Sequence, residues 1–213
     1  RKWNMESSAI GAGLFLFSGV EMGNILLSAQ AYEKLLDIEY LIVIGRKNKT
    51  LSLTIDFDAN HFFHLAGLQY LEDIPDILRS RRDVVFNRIL AGSITPQQIS
   101  DSSFYSIIQD RVDYLALLES IFDDNKTVFK YNPRLEAFSI IQADFLMKNE
   151  IQSRNVFTFL SQNAETGKYY CRSFFPQIDK DYSLGQTSWT LLYKKKIKKS
   201  TGAETVLYDR LNK

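Results

Sequence analysis

Cysteine and histidine are scarce in this chain of 213 residues. The single cysteine, Cys171, excludes an internal disulfide framework and fits a reducing compartment, so we expect a cytoplasmic protein with Cys171 buried in a strand. Only two histidines are present, and no second cluster of zinc-type ligands accompanies them. We therefore expect no metal ion and no other cofactor.

Long apolar runs are also missing. The most apolar stretch, residues 9–20, has 12 residues and contains three glycines, whereas a helix needs roughly 18 to 20 residues to cross a bilayer. No small-residue cleavage pattern follows this stretch, so it does not match a secretory leader. We expect no membrane association and place no function in these first residues.

The order of helix-like and strand-like patterns indicates the fold class. Apolar residues recur with helical spacing over residues 21–37, 59–71, 76–91 and 103–122, and Thr95-Pro96 resembles the start of a further helix. A β-hairpin over residues 39–57 interrupts the helices. The last part predicts strands over residues 127–131, 138–148, 155–161, 168–175, 188–197 and 205–208. We expect an α+β fold in which an N-terminal helical layer packs against a mostly antiparallel C-terminal sheet.

Length and composition favour one domain over residues 1–213. Its hydrophobic content of 45% and charged content of 24% are ordinary for a globular protein. Within it we expect an N-terminal extension and helix (1–37), an α+β core (38–199) and a C-terminal tail (200–213).

Charge is distributed unequally along the chain. Residues 1–125 contain 11 Lys and Arg against 17 Asp and Glu, and residues 126–213 contain 15 against 8. One interpretation is that the basic part faces a polyanion. The other is that the two parts attract each other within the fold.

The two histidines lie close together, as His61 and His64 on a predicted helix. A spacing of three residues puts both imidazoles on one helical face. A metal pair is one interpretation, but a third ligand with suitable spacing is missing. The others are a general acid or base, since imidazole titrates near neutral pH, and a partly buried structural histidine.

A second group of polar residues lies on two predicted strands and the loop between them. RNA cleavage without a metal requires a base for the 2′-hydroxyl, an acid for the leaving oxygen, and cations for the phosphate. His64 or Tyr182 can transfer protons, while Arg172 and Lys195 can supply charge. The lysine run around Lys195 has a plain alternative, because lysines also protect edge strands from aggregation. The candidate catalytic residues are His64, Arg172, Tyr182 and Lys195, and the candidate substrate-binding residues are Ser173, Gln186, Thr187 and Ser188.

Two segments resemble a known superfamily. They are HFFHLAGLQYL (61–71), after a hairpin, and YYCRSFFPQIDKDYSLGQTSWTLLYKKKI (169–197). Together they are similar to phage-associated nuclease-like domains of the barnase–EndoU–colicin–RelE superfamily, over roughly residues 38–199. The resemblance implies a helical layer against a curved antiparallel sheet whose open face cleaves RNA without a metal ion. It also implies RNA (tRNA among others) as substrate, a cognate inhibitor protein, and a setting in mobile elements, toxin–antitoxin systems or phage–host conflict.

Two other functions fit the same patterns. An ADP-ribosyltransferase needs a glutamate late in a strand, and the late Glu204 lies in the predicted tail, two residues after Gly202, which is a poor context. A non-catalytic interaction module would bind a partner through its acidic helices or its basic sheet. The predicted sequence of helices and strands does not separate these alternatives from a ribonuclease.

Overall fold

The predicted β-hairpin follows the first helix in this computed structural model, which describes residues 24–135 and 139–212. The turn between its strands places Lys47 and Asn48 at positive φ, as a tight hairpin requires. The helices are α1 (Ile25–Leu35), α2 (Ala59–Leu65), α3 (Pro75–Arg79), α4 (Arg82–Leu90), α5 (Pro96–Ser100), α6 (Tyr105–Leu115) and α7 (Leu118–Asp124). The strands are β1 (Ile38–Arg46), β2 (Lys49–Asp56), β3 (Thr127–Lys130), β4 (Phe145–Ile151), β5 (Arg154–Gln162), β6 (Tyr169–Pro176), β7 (Thr187–Lys198) and β8 (Ala203–Asp209).

The eight strands form one sheet that closes on itself. Its order is β1-β2-β6-β5-β4-β3-β7-β8, and β1 also pairs with β7, so seven strands form a barrel-like sheet. Every pairing is antiparallel except β2 with β6, which meet at Ile55 and Tyr169. The predicted α+β class with a mostly antiparallel, curved sheet is confirmed. β8 extends the sheet beyond the barrel by pairing with the second half of β7.

Several predicted element boundaries were wrong. Two long predicted helices are each broken in two, at Ser80, whose backbone is extended, and after Leu115. The helix predicted over 59–71 ends at Leu65, because Gly67 turns the chain at φ +80° into a 3-10 turn. The strand predicted over 138–148 begins only at Phe145. Apolar periodicity continued through these breaks because residues on both sides face the same core.

The core lies between the helices and one face of the sheet. Helices α1, α2, α4 and α6 pack on one another, and α2 and α6 also pack on β6. Helix α5 is capped at Thr95, as predicted. The Thr95 side chain accepts a hydrogen bond from the backbone N–H of Gln98, and the Gln98 side chain accepts one from the backbone N–H of Thr95. Cys171 is buried, as expected.

The terminal segments take part in this fold. α1 packs against α4 and α6, and Ser28 donates a hydrogen bond of 2.7 Å to the carbonyl of Val112. The division into extension, core and tail stays a prediction. None of the helices within residues 24–135 and 139–212 has the length and apolarity to cross a membrane.

Candidate active site

A cleft of about 1340 Å³ opens where α2 and α6 pack on β6. The β5–β6 connection around residues 163–165 and the loop over residues 178–182 form its rim. Side chains of very different chemistry line it. The two histidines lie beside Tyr170, near the start of β6, and we call this part the histidine end. Several aromatic rings lie around Phe175, near the end of β6, and we call this part the aromatic end. The polar and aromatic side chains used below are His61, His64, Tyr70, Arg82, Arg111, Tyr170, Arg172, Ser173, Phe175 and Tyr182.

The histidine end consists of His61, His64, Arg82, Tyr170 and Arg172. The rings of His61 and Tyr170 stack with centroids 4.6 Å apart and an angle of 15° between their planes. The Tyr170 hydroxyl accepts a hydrogen bond of 3.2 Å from Arg172 Nη1. These contacts join helix α2 to strand β6, so residues more than 100 positions apart in the chain meet on one surface.

The titration of the two histidines is perturbed in the same direction. Burial lowers the pKa of His64, and the positive charges of Arg82 and Arg172 lower it further. Burial also lowers the pKa of His61, whose Nδ1 is buried without a hydrogen-bond partner. The lowered pKa values favour the neutral form of both imidazoles, and a neutral imidazole can accept a proton.

The aromatic end is organised around Arg111, on helix α6. Its guanidinium lies 5.1 Å from the ring centre of Phe175 and 5.6 Å from that of Tyr70. Arg111 Nη1 donates a hydrogen bond of 3.1 Å to the carbonyl of Phe174. Gly67 leaves the room for this arrangement, because a Cβ there would lie 3.1 Å from Arg111 Cδ.

Three arginines line this cleft. Within residues 24–135 and 139–212, Arg82, Arg111 and Arg172 form no ion pair. The nearby acid Asp110 lines the cleft too, but it pairs with Arg154 at 2.7 Å. Unneutralised guanidinium groups attract oxyanions and bind them through several N–H groups at once.

The structure brings together only some of the residues that the sequence singled out. His64, Arg172, Ser173 and Tyr182 line the cleft, and the Tyr182 ring packs against Phe175 at 5.4 Å. Lys195, Gln186, Thr187 and Ser188 lie elsewhere.

The four residues outside the cleft have other partners. Lys195 pairs at 2.7 Å with Glu204 of β8, so the glutamate considered for ribose binding is also outside the cleft. The Gln186 side chain is buried and bonds to the backbone N–H and carbonyl of Asn132. Thr187 and Ser188 begin β7, beside β3.

Arg82 and Arg111 were missed from the sequence, although one of them left a signal. Arg111 lies three residues after Ile108 and four before Leu115, both fully buried. A lone arginine on the apolar face of an amphipathic helix was that signal. Arg82 sits in a run of charged residues and left none.

The metal interpretation of the two histidines finds no third ligand in the described part of the chain. There, no group of three or more His, Cys, Asp or Glu side chains is placed to hold a metal ion. His61 instead stacks on Tyr170.

The lysine run of β7 differs from the cleft in having partners for each ammonium group. Lys194 is fully buried and donates to the carbonyls of Phe122, at 2.6 Å, and of Asn125. Lys196 pairs with Glu119 and Asp123. We call Lys194, Lys195 and Lys196 the β7 lysines.

Comparison with known proteins gives one match. A model of the family described as phage-Barnase-EndoU-ColicinE5/D-RelE like nuclease4 matches residues 24–211, which extends beyond both ends of the segment in which the resemblance was seen. No curated protein matches, and no solved structure does.

Proposed function

Because the chain belongs to the phage-Barnase-EndoU-ColicinE5/D-RelE like nuclease4 family, we propose that it is an endoribonuclease that needs no metal ion. The family is one of nucleases, so a nucleic acid is the substrate class. The observation that carries the choice of chemistry is the cleft, where His64 lies beside Arg82 and Arg172, and neither arginine forms an ion pair within the described residues.

His64 is the proposed general base. Its imidazole accepts the proton of the 2′-hydroxyl, and the 2′-oxygen attacks the adjacent phosphorus while the bond from phosphorus to the 5′-oxygen breaks. The products are a 2′,3′-cyclic phosphate and a 5′-hydroxyl. Arg82 and Arg172 stabilise the charge on the phosphate oxygens in the transition state. Deoxyribose lacks the attacking hydroxyl, so this route is restricted to RNA.

The proton for the leaving 5′-oxygen comes from a phenol of the cleft. Tyr182 was the candidate from the sequence, but its ring packs among Phe157, Phe159 and Phe175. Tyr170 belongs to the histidine end, because its ring stacks on His61 and its hydroxyl accepts a hydrogen bond from Arg172. A phenol that accepts this bond can still donate its own O–H. We assign the acid to Tyr170. Tyr170→Phe should then slow cleavage more than Tyr182→Phe does.

Single-stranded RNA, including the loops of tRNA, is the proposed substrate. Unpaired bases stack on aromatic faces, and Tyr70 is partly exposed at the cleft with 38% of its surface accessible. Ser173, half-buried on β6, adds a hydroxyl that can donate to a phosphate or a ribose.

The test is cleavage of tRNA and of a single-stranded RNA by purified protein in the presence of EDTA. We expect a product with a 2′,3′-cyclic phosphate end. His64→Ala and Arg172→Gln should each lower the rate about 100-fold or more. Arg79→Gln is the matched control, since Arg79 is exposed at the end of α3 outside the cleft. Equal rates for all four proteins, or no cleavage at high protein excess, would contradict the proposal.

A non-catalytic interaction module predicts a different result from the same proteins. RNA binding that persists without cleavage in the wild type, and that His64→Ala leaves unchanged, would support a binding role. Release of nicotinamide from NAD would instead support the transferase alternative.

The resemblance to the barnase–EndoU–colicin–RelE superfamily implies a cognate inhibitor protein, and we propose that this inhibitor binds across the same cleft. Three isoleucines that line the cleft are exposed, with accessible surface fractions of 55% for Ile107, 90% for Ile140 and 78% for Ile178. Exposed aliphatic side chains around a functional site are typical of protein contacts. Ile140→Ser with Ile178→Ser should keep RNA cleavage and weaken inhibition by any protein that blocks the wild type. Unchanged inhibition would exclude this surface.

A further inference from the structure

We infer that Arg111 forms a second phosphate-binding site in the cleft, distinct from the histidine end, which holds a phosphate next to the one that is cleaved. This inference rests on the proposed function only for its biological substrate. The site itself is argued from the packing of Arg111, from its missing counter-charge and from its position.

Arg111 is held rigidly before any ligand binds. Its guanidinium is placed between the rings of Tyr70 and Phe175, and one N–H group is fixed by the Phe174 carbonyl at 3.1 Å. Its aliphatic stem lies against the bare α-carbon of Gly67. A cation held in this way loses little conformational freedom when an anion arrives, which favours affinity.

The charge of Arg111 has no counter-ion in the part of the chain that the structure describes. A guanidinium has five N–H donors, and within the described ranges the Phe174 carbonyl is the acceptor that meets one of them. Burial lowers the pKa of Arg111, which reflects the cost of removing the cation from water. An oxyanion in the cleft would supply both the missing charge and the missing acceptors.

Arg111 and the histidine end are two separate points of charge. The cations that act on His64 are Arg82 and Arg172. Arg111 instead contacts Phe174 and Phe175, near the end of strand β6. The histidine end meets the same strand earlier, at Tyr170. A strand of RNA has a phosphate at every nucleotide, so a cleft with cations at both ends can hold two phosphates of the same strand.

A phosphate fits this site better than a protein carboxylate would. Tyr70, whose ring lies beside the guanidinium, keeps 38% of its surface accessible. An exposed ring next to a guanidinium is the combination that binds nucleotides through a stacked base and a neighbouring phosphate. The phosphate is either an internal phosphodiester or a terminal phosphate, and the two sources share the same oxyanion chemistry.

The experiment measures binding of short ligands that cannot be cleaved. The ligands are the deoxydinucleotide dTpdT, with one phosphate, and the same molecule with an added 5′-phosphate, with an added 3′-phosphate, or lengthened to dTpdTpdT. We expect the wild type to bind at least one two-phosphate ligand about tenfold more tightly than dTpdT. Preference for dTpdTpdT indicates an internal phosphodiester, and preference only for the end-phosphorylated ligands indicates a terminal phosphate.

Variants of Arg111 identify the residue responsible. Arg111→Gln should lose the advantage of the second phosphate, whereas Arg111→Lys should keep part of that advantage because the charge remains. Arg79→Gln should behave as the wild type. If Arg111→Gln fails to fold, the Arg111 Nε resonance of the wild type is followed instead, and it should shift on addition of inorganic phosphate.

The outcomes separate this inference from the proposed ribonuclease function. Equal affinity of the wild type for all four ligands, equal loss of all ligands in Arg111→Gln, or an Arg111 resonance that inorganic phosphate does not move would overturn the second site. None of these measurements requires cleavage. A two-phosphate preference in a protein that does not cut RNA would therefore support the second site and reject the proposed function.

Discussion

Two groups of cations in this protein have opposite surroundings. The β7 lysines lie in the most basic run of the chain, yet each donates to a carboxylate or to backbone carbonyls. Arg82, Arg111 and Arg172 are scattered along the chain, and no ion pair within the described residues neutralises them. The comparison teaches that a charge run in a sequence does not locate an anion-binding site. What locates it is a cation that the fold leaves without a counter-charge.

Ion pairs also explain the uneven distribution of charge along the chain. Cations from the basic last part pair with carboxylates from the acidic first part, as in Lys168 with Glu39 and Lys199 with Asp56. Mutual attraction within the fold therefore accounts for much of the asymmetry. Two of the three cleft arginines, Arg82 and Arg111, come from the acidic part.

The largest expected effect is a change in the free energy of unfolding that depends on Lys194 and leaves RNA cleavage unchanged. Burial lowers its pKa to about 8, below the ordinary value that applies in the unfolded chain. Between these two values the unfolded state binds more protons, so the free energy of unfolding rises with pH. Relative to Lys194→Met, the wild type should gain about 2 kcal/mol between pH 8 and 10.

Denaturant unfolding of both proteins at pH 8 and pH 10 checks this. RNA cleavage per folded molecule should be the same in the two proteins, since Lys194 is outside the cleft. A stability difference that stays constant or falls as pH rises would show that Lys194 does not titrate as described.

A smaller effect distinguishes Arg82 from Lys195 in catalysis. Arg82→Gln removes an unpaired cation from the cleft, so the rate of RNA cleavage should fall about tenfold. Lys195→Gln breaks the ion pair with Glu204, and exposed ion pairs of this kind contribute little to stability. Because Lys195 lies outside the cleft, the rate should stay within about twofold of the wild type. Initial rates at saturating RNA measure both. A larger loss for Lys195→Gln would return that lysine to the site.

The smallest effect is a shift in pH dependence. A base is active when neutral, and burial and the charges of Arg82 and Arg172 lower the pKa of His64. Activity should therefore persist below the ordinary titration range of histidine and be lost only at more acidic pH. Arg82→Gln removes one of these charges and should move the acidic limb of the rate profile toward higher pH. A shift toward lower pH would contradict the assignment of His64 as base.

How much the sequence could predict depended on the range of the interaction. The β1–β2 hairpin, the Thr95 cap and most strands follow from local patterns, and they were predicted. Closure of the barrel by β1 and β7 was not, because it joins residues about 150 positions apart and leaves no local signal. His64, Arg172, Ser173 and Tyr182 were predicted as site candidates and share one cleft. Lys195 was predicted from its charge and from the superfamily resemblance, and its partner Glu204 could be identified only from the register of β7 and β8.

The central claim is that the unpaired cleft arginines, and not the β7 lysines, contact the phosphates of RNA. The most direct test is the salt dependence of binding to an uncleavable 2′-O-methyl single strand. For single strands, log K falls as log salt rises, and each lost phosphate contact should decrease the magnitude of this negative slope by about 0.7. We predict this decrease for Arg82→Gln, Arg111→Gln and Arg172→Gln, and an unchanged slope for Lys195→Gln. Unchanged slopes for the three arginine variants, with a decrease for Lys195→Gln, would contradict the claim.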